Sequence, residues 1–192
     1  MKIEVLKGEA LAGAIEDVAR LRIAVFAEWP YLYQGDMSYE QAYLAPYLSS
    51  DAAVLVGAFE AGRLVGAATG MPIEDHEDDF SSCLPQDMKA SDVFYCAESV
   101  LLPEFRGRGV GHAFFDHREA QARRLGDLYS VFCSVIRPQD HPARPSGARS
   151  HAGFWAKRGY APLEGAVARF SWCDIGAQAE TEKNLQLWMR RL

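Results

Sequence analysis

The sequence predicts an α/β fold built on one mixed sheet flanked by helices. Three observations carry that expectation. The elements follow the order strand, helices, hairpin, strand, helix, strand, helix, strands, which is not a regular βαβ repeat. Two strand-like runs are joined by Glu60-Ala61-Gly62-Arg63, a hairpin signal with Gly62 free to take positive φ. A strand then ends in a glycine-bearing loop that opens directly into a helix. The chain has 192 residues, 49% of them hydrophobic, which suits a single domain over residues 1–192 with a sizeable core.

Lys2 to Leu6 alternates as a short strand. Glu9 to Phe26 has helical spacing, with Ile15, Val18, Ala19, Arg22 and Phe26 near one stripe. Trp29-Pro30-Tyr31-Leu32-Tyr33 breaks that pattern as an aromatic loop, and Tyr39 to Tyr47 reads as a second helix. Ala53 to Phe59 and Leu64 to Met71 form the hairpin. Asp92 to Leu102, rich in Val, Phe, Tyr and Leu, reads as one continuous strand. Val110 to Leu125 is a helix capped by Gly126, with Asp116, Glu119 and Arg123 on its wet face. Leu128 to Ile136 is a strand, Ser150 to Lys157 a short helix, and strands open at Gly159-Tyr160 and Val167 to Trp172. A terminal helix is expected from Glu180 to Met189, burying Leu185 and Trp188.

The formal net charge of -6 argues against a nucleic-acid partner, since phosphate contacts need a surplus of Lys and Arg. A small anion remains compatible, because it needs only a local basic or amide-rich site. The cysteines at 83, 96, 133 and 173 lack Cys-x-x-Cys spacing, so neither a metal site nor a disulfide framework is expected. Without an apolar run long enough for a membrane span, or a signal-peptide core after Met1, the expected setting is the cytoplasm.

Chemistry concentrates in Glu98-Ser-Val-Leu-Leu-Pro-Glu-Phe-Arg-Gly-Arg-Gly-Val-Gly-His112. Gly107, Gly109 and Gly111 let successive backbone N–H groups converge, and the helix start adds unpaired N–H groups and the positive end of its dipole. Arg106 and Arg108 add full charges, so the loop suits a pyrophosphate. A Walker A loop is excluded, because no Gly-Lys-Ser/Thr follows. A Rossmann loop needs Gly-x-Gly-x-x-Gly, whereas the spacing here is Gly107-x-Gly109-x-Gly111, although Asp127 falls near the position of a ribose-binding acid. A glycine-rich turn without a ligand is the plain alternative.

Arg106-Gly107-Arg108-Gly109-Val110-Gly111 resembles the Arg/Gln-x-x-Gly-x-Gly/Ala signature of the GNAT N-acetyltransferases. The preceding Val100-Leu101-Leu102-Pro103-Glu104-Phe105 looks like that family's lead-in strand. Phe154-Trp155-Ala156-Lys157-Arg158-Gly159-Tyr160 is similar to its late helix followed by Gly-Phe or Gly-Tyr. The resemblance implies a GNAT-like mixed sheet (an acyl-CoA N-acyltransferase fold) and acetyl-CoA as co-substrate. It implies a small-molecule or peptide amine as acceptor and, as in many relatives, a homodimer. Ser99, Val100 and Leu101 would pair through their backbone with the pantetheine arm. The amides from Gly107 through Val110 and Gly111 to His112 would hold the pyrophosphate. An N–H near Leu101 would polarise the thioester carbonyl.

Amine transfer needs a base, because an ammonium has no lone pair. Glu98 interrupts an apolar strand beside the implied thioester site and is the candidate; the alternative is a structural pairing with an arginine. The family's thiolate-protonating Tyr is replaced by Trp155, and Ala148 stands where an Asn is usual. Tyr160 is a weaker substitute, and Cys96 and Cys133 read as core. Phe26, Trp29, Tyr31 and Tyr33 are the candidate acceptor wall. Arg137, Arg144, Arg149, His141 and His151 form a basic loop facing an anion or solvent, and Glu74 to Asp79 is an acidic one. Two rivals remain: a non-catalytic acyl-CoA-binding module on the same fold, and a nucleotide-binding oxidoreductase.

Overall fold

The computed structural model describes residues 1–76 and 83–192. The acidic run therefore lies partly, at Glu77 to Asp79, outside the described residues. In chain order the elements are β1 (Lys2–Leu6), α1 (Gly8–Phe26), α2 (Met37–Ser49), β2 (Val54–Glu60) and β3 (Arg63–Pro72). They continue with β4 (Val93–Tyr95), β5 (Ser99–Leu101), α3 (Val110–Leu125), β6 (Tyr129–Val135), α4 (Ala152–Lys157), β7 (Ala161–Cys173) and β8 (Glu180–Arg191). The strands form a mixed sheet in the order β1-β2-β3-β4-β6-β8-β7, with β5 also paired to β3. The pair β4 and β6 runs parallel and its neighbours antiparallel. No helix among the described residues is long and apolar enough to cross a membrane.

Alternation along the central strands divides the core between two helical layers. Leu55, Ala67 and Met71 pack against Val18, Leu21 and Phe26 of α1 and Leu44 of α2. Val54, Val56, Val65 and Ala68 turn to the other face, onto Phe114, Phe115 and Ala122 of α3. Both faces are covered, so β3 is apolar almost throughout. Asp36 starts α2, its carboxylate accepting from Tyr39 N over 2.9 Å. Gly126 ends α3 at φ 92°, in the left-handed conformation expected of a capping glycine.

Four expectations are corrected. The Glu180 to Met189 segment is strand β8, not a helix. Leu185 and Trp188 are one helical turn apart in sequence, but burial follows Lys183, Leu185 and Leu187 with period two, and β8 pairs on both sides. The run from Asp92 to Leu102 is two strands separated at Cys96 to Glu98. The two late strands are one, β7, with a register shift between Pro162 and Val167. Glu119 is buried, because Arg158, Arg190 and Tyr160 converge on its carboxylate at 2.8–3.1 Å.

Candidate active site

The interruption between β4 and β5 builds the site. Up to Cys96, whose N–H reaches Val131 O over 2.8 Å, the chain runs beside β6. From there it bonds to β3 alone, through Ala97 N to Thr69 O and Thr69 N to Glu98 O, both 3.1 Å. β6 continues with β8, so β5 and β6 part. Arg118 of α3 holds the break. Its guanidinium donates to Glu98 O at 2.8 Å, Thr69 O at 3.2 Å and Ser99 Oγ at 2.8 Å, and lies 4.7 Å from the Phe115 ring centre. The cation is buried among neutral acceptors.

A cleft of about 750 Å³ passes through the gap and is lined by Glu98, Ser99, Leu101, Gly109, Phe132 and Trp155 among others. Glu98 O and Leu102 N both bond to β3. By the alternation of antiparallel pairing, the N–H and C=O groups of Ser99 and Leu101 point into the cleft, and those of Val100 point back to β3. The Val100 side chain is fully buried.

At one end of the cleft the glycine loop meets α3. Gly107 and Gly109 hold φ of 77° and 81°, with open space where a side chain would project. Gly109 is the residue before the first turn, whose amides have no carbonyl below them. Arg106, Gly107, Val110, Gly111 and His112 also line this end. The His112 amide already donates to Gly109 O at 3.0 Å. Arg106 donates to Leu101 O at 3.0 Å and Glu28 at 2.9 Å. Arg108 turns to Glu104 O, outside the cleft lining.

At the other end the aromatic loop supplies Phe26, Trp29 and Tyr31 to the lining, but not Tyr33. Phe26 and Tyr31 lie 4.3 Å apart, and Tyr31 stacks on Trp172 at 5.8 Å. Tyr33 instead pairs its backbone with Asp174. Arg137 fixes this loop: it donates to Pro30 O and Tyr31 O and makes two 2.8 Å bonds to Asp174. Burial raises the Asp174 carboxyl, but those bonds more than offset it and hold it below the usual carboxylate range. The charge of Arg137 is thus spent within the fold. Arg144, Arg149 and His151 do line the cleft, and burial followed by Arg106 lowers the His151 pKa.

Glu98 is a buried carboxylate in the cleft wall. Arg22 Nη1 lies 2.7 Å from one oxygen, and Tyr43 donates to the other over 3.0 Å. Arg22 also pairs with the fully buried Glu40, and its guanidinium lies 4.0 Å over the Tyr43 ring. Burial works against the charge on Arg22, but Glu98, Tyr43 and Glu40 together hold its pKa above the ordinary value. The arginine pairing expected as the alternative for Glu98 is present, in a carboxylate that also lines the cleft.

Trp155 lies against Phe132 and Trp188, 4.9 and 5.0 Å away. The Tyr160 hydroxyl is turned from the cleft to Ser130 at 2.7 Å and Glu119 at 3.1 Å. Cys96 is buried in the cleft wall within 3.3 Å of Ser130 Oγ, and burial raises its pKa. Sequence reasoning missed Arg118; its signal was a charge spaced four residues from Phe114 on the helix's apolar stripe. Arg22 carried the same signal on α1.

The profile of the Acetyltransferase (GNAT) family matches residues 15–160. The fold is similar to the ribosomal-protein-alanine N-acetyltransferase from Brucella melitensis, with TM-score 0.61 and 14% identity over 100% of both chains. It is similar to the aminoglycoside 6'-N-acetyltransferase from Enterococcus faecium, with TM-score 0.61 and 11% identity over 100% of this chain and 97% of that one. An aminoglycoside 6'-N-acetyltransferase complexed with coenzyme A aligns with TM-score 0.58 and 14% identity, over 100% and 97%. No curated protein matches the sequence.

Proposed function

The chain belongs to the GNAT acetyltransferase family, with acetyl-CoA as its co-substrate, and from that premise we propose that it transfers the acetyl group to a primary amine by direct attack with both substrates bound. The supporting observation is the opened sheet. One cleft joins the amides of the glycine loop to the aromatic loop, and the backbone of Ser99 and Leu101 faces into it.

In this reading the amides of Gly107 to Gly111 hold the pyrophosphate at the start of α3. Ser99 and Leu101 align the pantetheine arm as an added strand, and the Leu101 N–H stabilises charge on the thioester oxygen. Phe26, Trp29 and Tyr31 enclose the body of the acceptor, and Glu98 takes the proton from its ammonium group. Holding both reactants in one channel supplies much of the rate. Trp155 offers no useful acid. A thiolate with pKa of about 8.5 leaves readily and is protonated by water.

Calorimetric titration with acetyl-CoA, CoA and NAD, followed by a thiol-release assay over a panel of arylalkylamines, polyamines, aminoglycosides and peptide N-termini, tests this proposal. Acetyl-CoA binding with thiol release on at least one amine is the expected result. Binding without turnover on any amine favours the non-catalytic acyl-CoA module, and binding of NAD alone discards the reading.

A further inference from the structure

Behind Glu98 lies a second polar chain that leaves the cleft. Tyr43 donates to Glu98 Oε2 over 3.0 Å, and the same hydroxyl lies 3.4 Å from Nε2 of His76. Neither Tyr43 nor His76 lines the main cleft. Both line a separate hollow of about 40 Å³ with Tyr39, Tyr47 and Asp75. His76 also packs edge-on against Tyr95 of β4 at 4.9 Å. From the cleft wall to the second hollow the groups are thus a carboxylate, a hydroxyl and an imidazole, each within hydrogen-bond reach of the next.

We propose that Tyr43 and His76 form a proton exit from the active site, carrying to the second hollow the proton that Glu98 takes from the acceptor ammonium. The inference rests on the functional reading above. The charge balance of the buried cluster favours Glu98 as the group that accepts this proton. Arg22 faces two carboxylates, Glu40 and Glu98, so the cluster carries one surplus negative charge. Protonating Glu98 leaves Arg22 and Glu40 as a matched pair, so no buried charge is left alone.

The transfer balances in three steps. An ammonium N–H bond breaks and an O–H bond forms on Glu98, giving a neutral amine and a carboxylic acid. Released by the protonated carboxyl, the Tyr43 hydroxyl turns its proton to His76 Nε2; the carboxyl proton then passes to the Tyr43 oxygen as the Tyr43 proton passes to Nε2, restoring the carboxylate and leaving an imidazolium. His76 gives up its Nδ1 proton on the side of the second hollow, tautomer exchange frees Nε2 again, and the Tyr43 hydroxyl already points at the restored carboxylate, which resets the chain. Burial, followed by the Glu98 charge, pushes the Tyr43 pKa well up, so the phenol exchanges protons without ionising.

Among the described residues, the groups facing Glu98 are Arg22 from α1, Tyr43 and Tyr47 from α2, Tyr31 from the aromatic loop and Tyr95 from β4. Among the described residues, the rings of Tyr43 and Tyr95 lie 5.9 and 4.9 Å from His76, and Tyr39, Tyr47 and Asp75 line the same hollow. Glu98 acts on the substrate; Tyr43 and His76 act through it.

Two readouts test the chain. In the ligand-free protein the imidazole nitrogens of His76 are titrated by NMR in wild type, Glu98→Gln and Tyr43→Phe. Loss of the Glu98 anion or of the bridging hydroxyl lowers the His76 midpoint in both variants; an unchanged midpoint in both overturns the relay. Turnover is then measured with whichever amine of the panel the wild type acetylates. His76→Ala lowers kcat by at least about tenfold near neutral pH, leaves KM for acetyl-CoA unchanged and is rescued by added imidazole. Tyr43→Phe lowers kcat comparably and is not rescued. An active wild type with His76→Ala unaffected, or impaired but deaf to imidazole, overturns the relay alone. A wild type that acetylates no amine overturns the functional reading and the relay with it.

Discussion

Arg118 Nη1 lies 2.8 Å from the carbonyl oxygen of Glu98, so α3 on one face of the sheet grips the residue whose side chain serves the other. Replacing Arg118 with Met removes the donor to the Ser99 hydroxyl and to three carbonyls, those of Glu98, Thr69 and Phe114. We expect a loss of about 2 kcal/mol in urea unfolding and weaker acetyl-CoA binding by calorimetry. Arg118→Lys keeps the charge but lacks the planar fork, so it recovers only part of either quantity.

Gly109 and Gly111 serve the loop differently and fail differently. A Cβ at Gly109 meets no neighbour, but its φ of 81° costs an L residue about 1–2 kcal/mol. Gly109→Ala therefore weakens acetyl-CoA binding by about tenfold, the equivalent of 1.4 kcal/mol, as the loop relaxes. At Gly111 a Cβ would sit 3.3 Å from Phe154 Cζ, so Gly111→Leu pushes α3 from α4. Unaltered affinity in both variants would remove the loop from cofactor binding.

The Arg22 cluster separates stability from activity. Arg22→Leu leaves two buried carboxylates without their cation, a loss of about 3–5 kcal/mol in denaturant titration. Glu98→Gln leaves Arg22 paired with Glu40 and keeps most of the stability. Its kcat falls by about two orders of magnitude, with acetyl-CoA affinity little changed. A Glu98→Gln enzyme with wild-type turnover across pH would limit Glu98 to structure.

Asp127 gives a pH signature. Burial, then the nearby Asp92 charge, pushes its carboxyl up to about 6, above the unfolded value of about 3.9. Between these values the folded state holds the proton that the unfolded state has lost. This group's contribution is therefore present below about pH 4 and is lost as pH rises through about 6. Asp127→Asn should raise the melting temperature at pH 7.5, by the equivalent of roughly 1 kcal/mol, and have little effect at pH 4. An equal change at both values would refute the assignment.

Local signals were legible where they are physically local. Gly126 marked a helix end, Ala61-Gly62 marked a hairpin, and the glycine loop was placed at the start of α3, whereas the Asp36 cap of α2 was passed over. Long-range pairing was not legible. Asp92 to Leu102 is rich in strand-forming residues whether it forms one strand or two, and the guanidinium at the break, Arg118, arrives from α3. Glu119 and Lys183 are charges inside the protein, and a reading that assigns charges to water misplaces both, whereas Arg22 does lie on the buried stripe of α1 where its spacing put it. Tyr33 shares the aromatic character of its neighbours, but its backbone pairs with Asp174 and its ring turns to Tyr39, outside the cleft lining.

The two ends of the cleft are carried by unrelated stretches of chain. The end proposed to hold the anion is one contiguous piece, from Ser99 to His112. The aromatic end is assembled from the segment after α1, from Arg137 and from the last turn of the β7–β8 hairpin, fastened by Asp174. Under the proposed function, substitutions at Trp29 and Tyr31 change which amine is accommodated while the glycine-loop end stays as it is. In that reading the scaffold is modular, with the donor end built from one block of chain and the acceptor end open to piecemeal redesign.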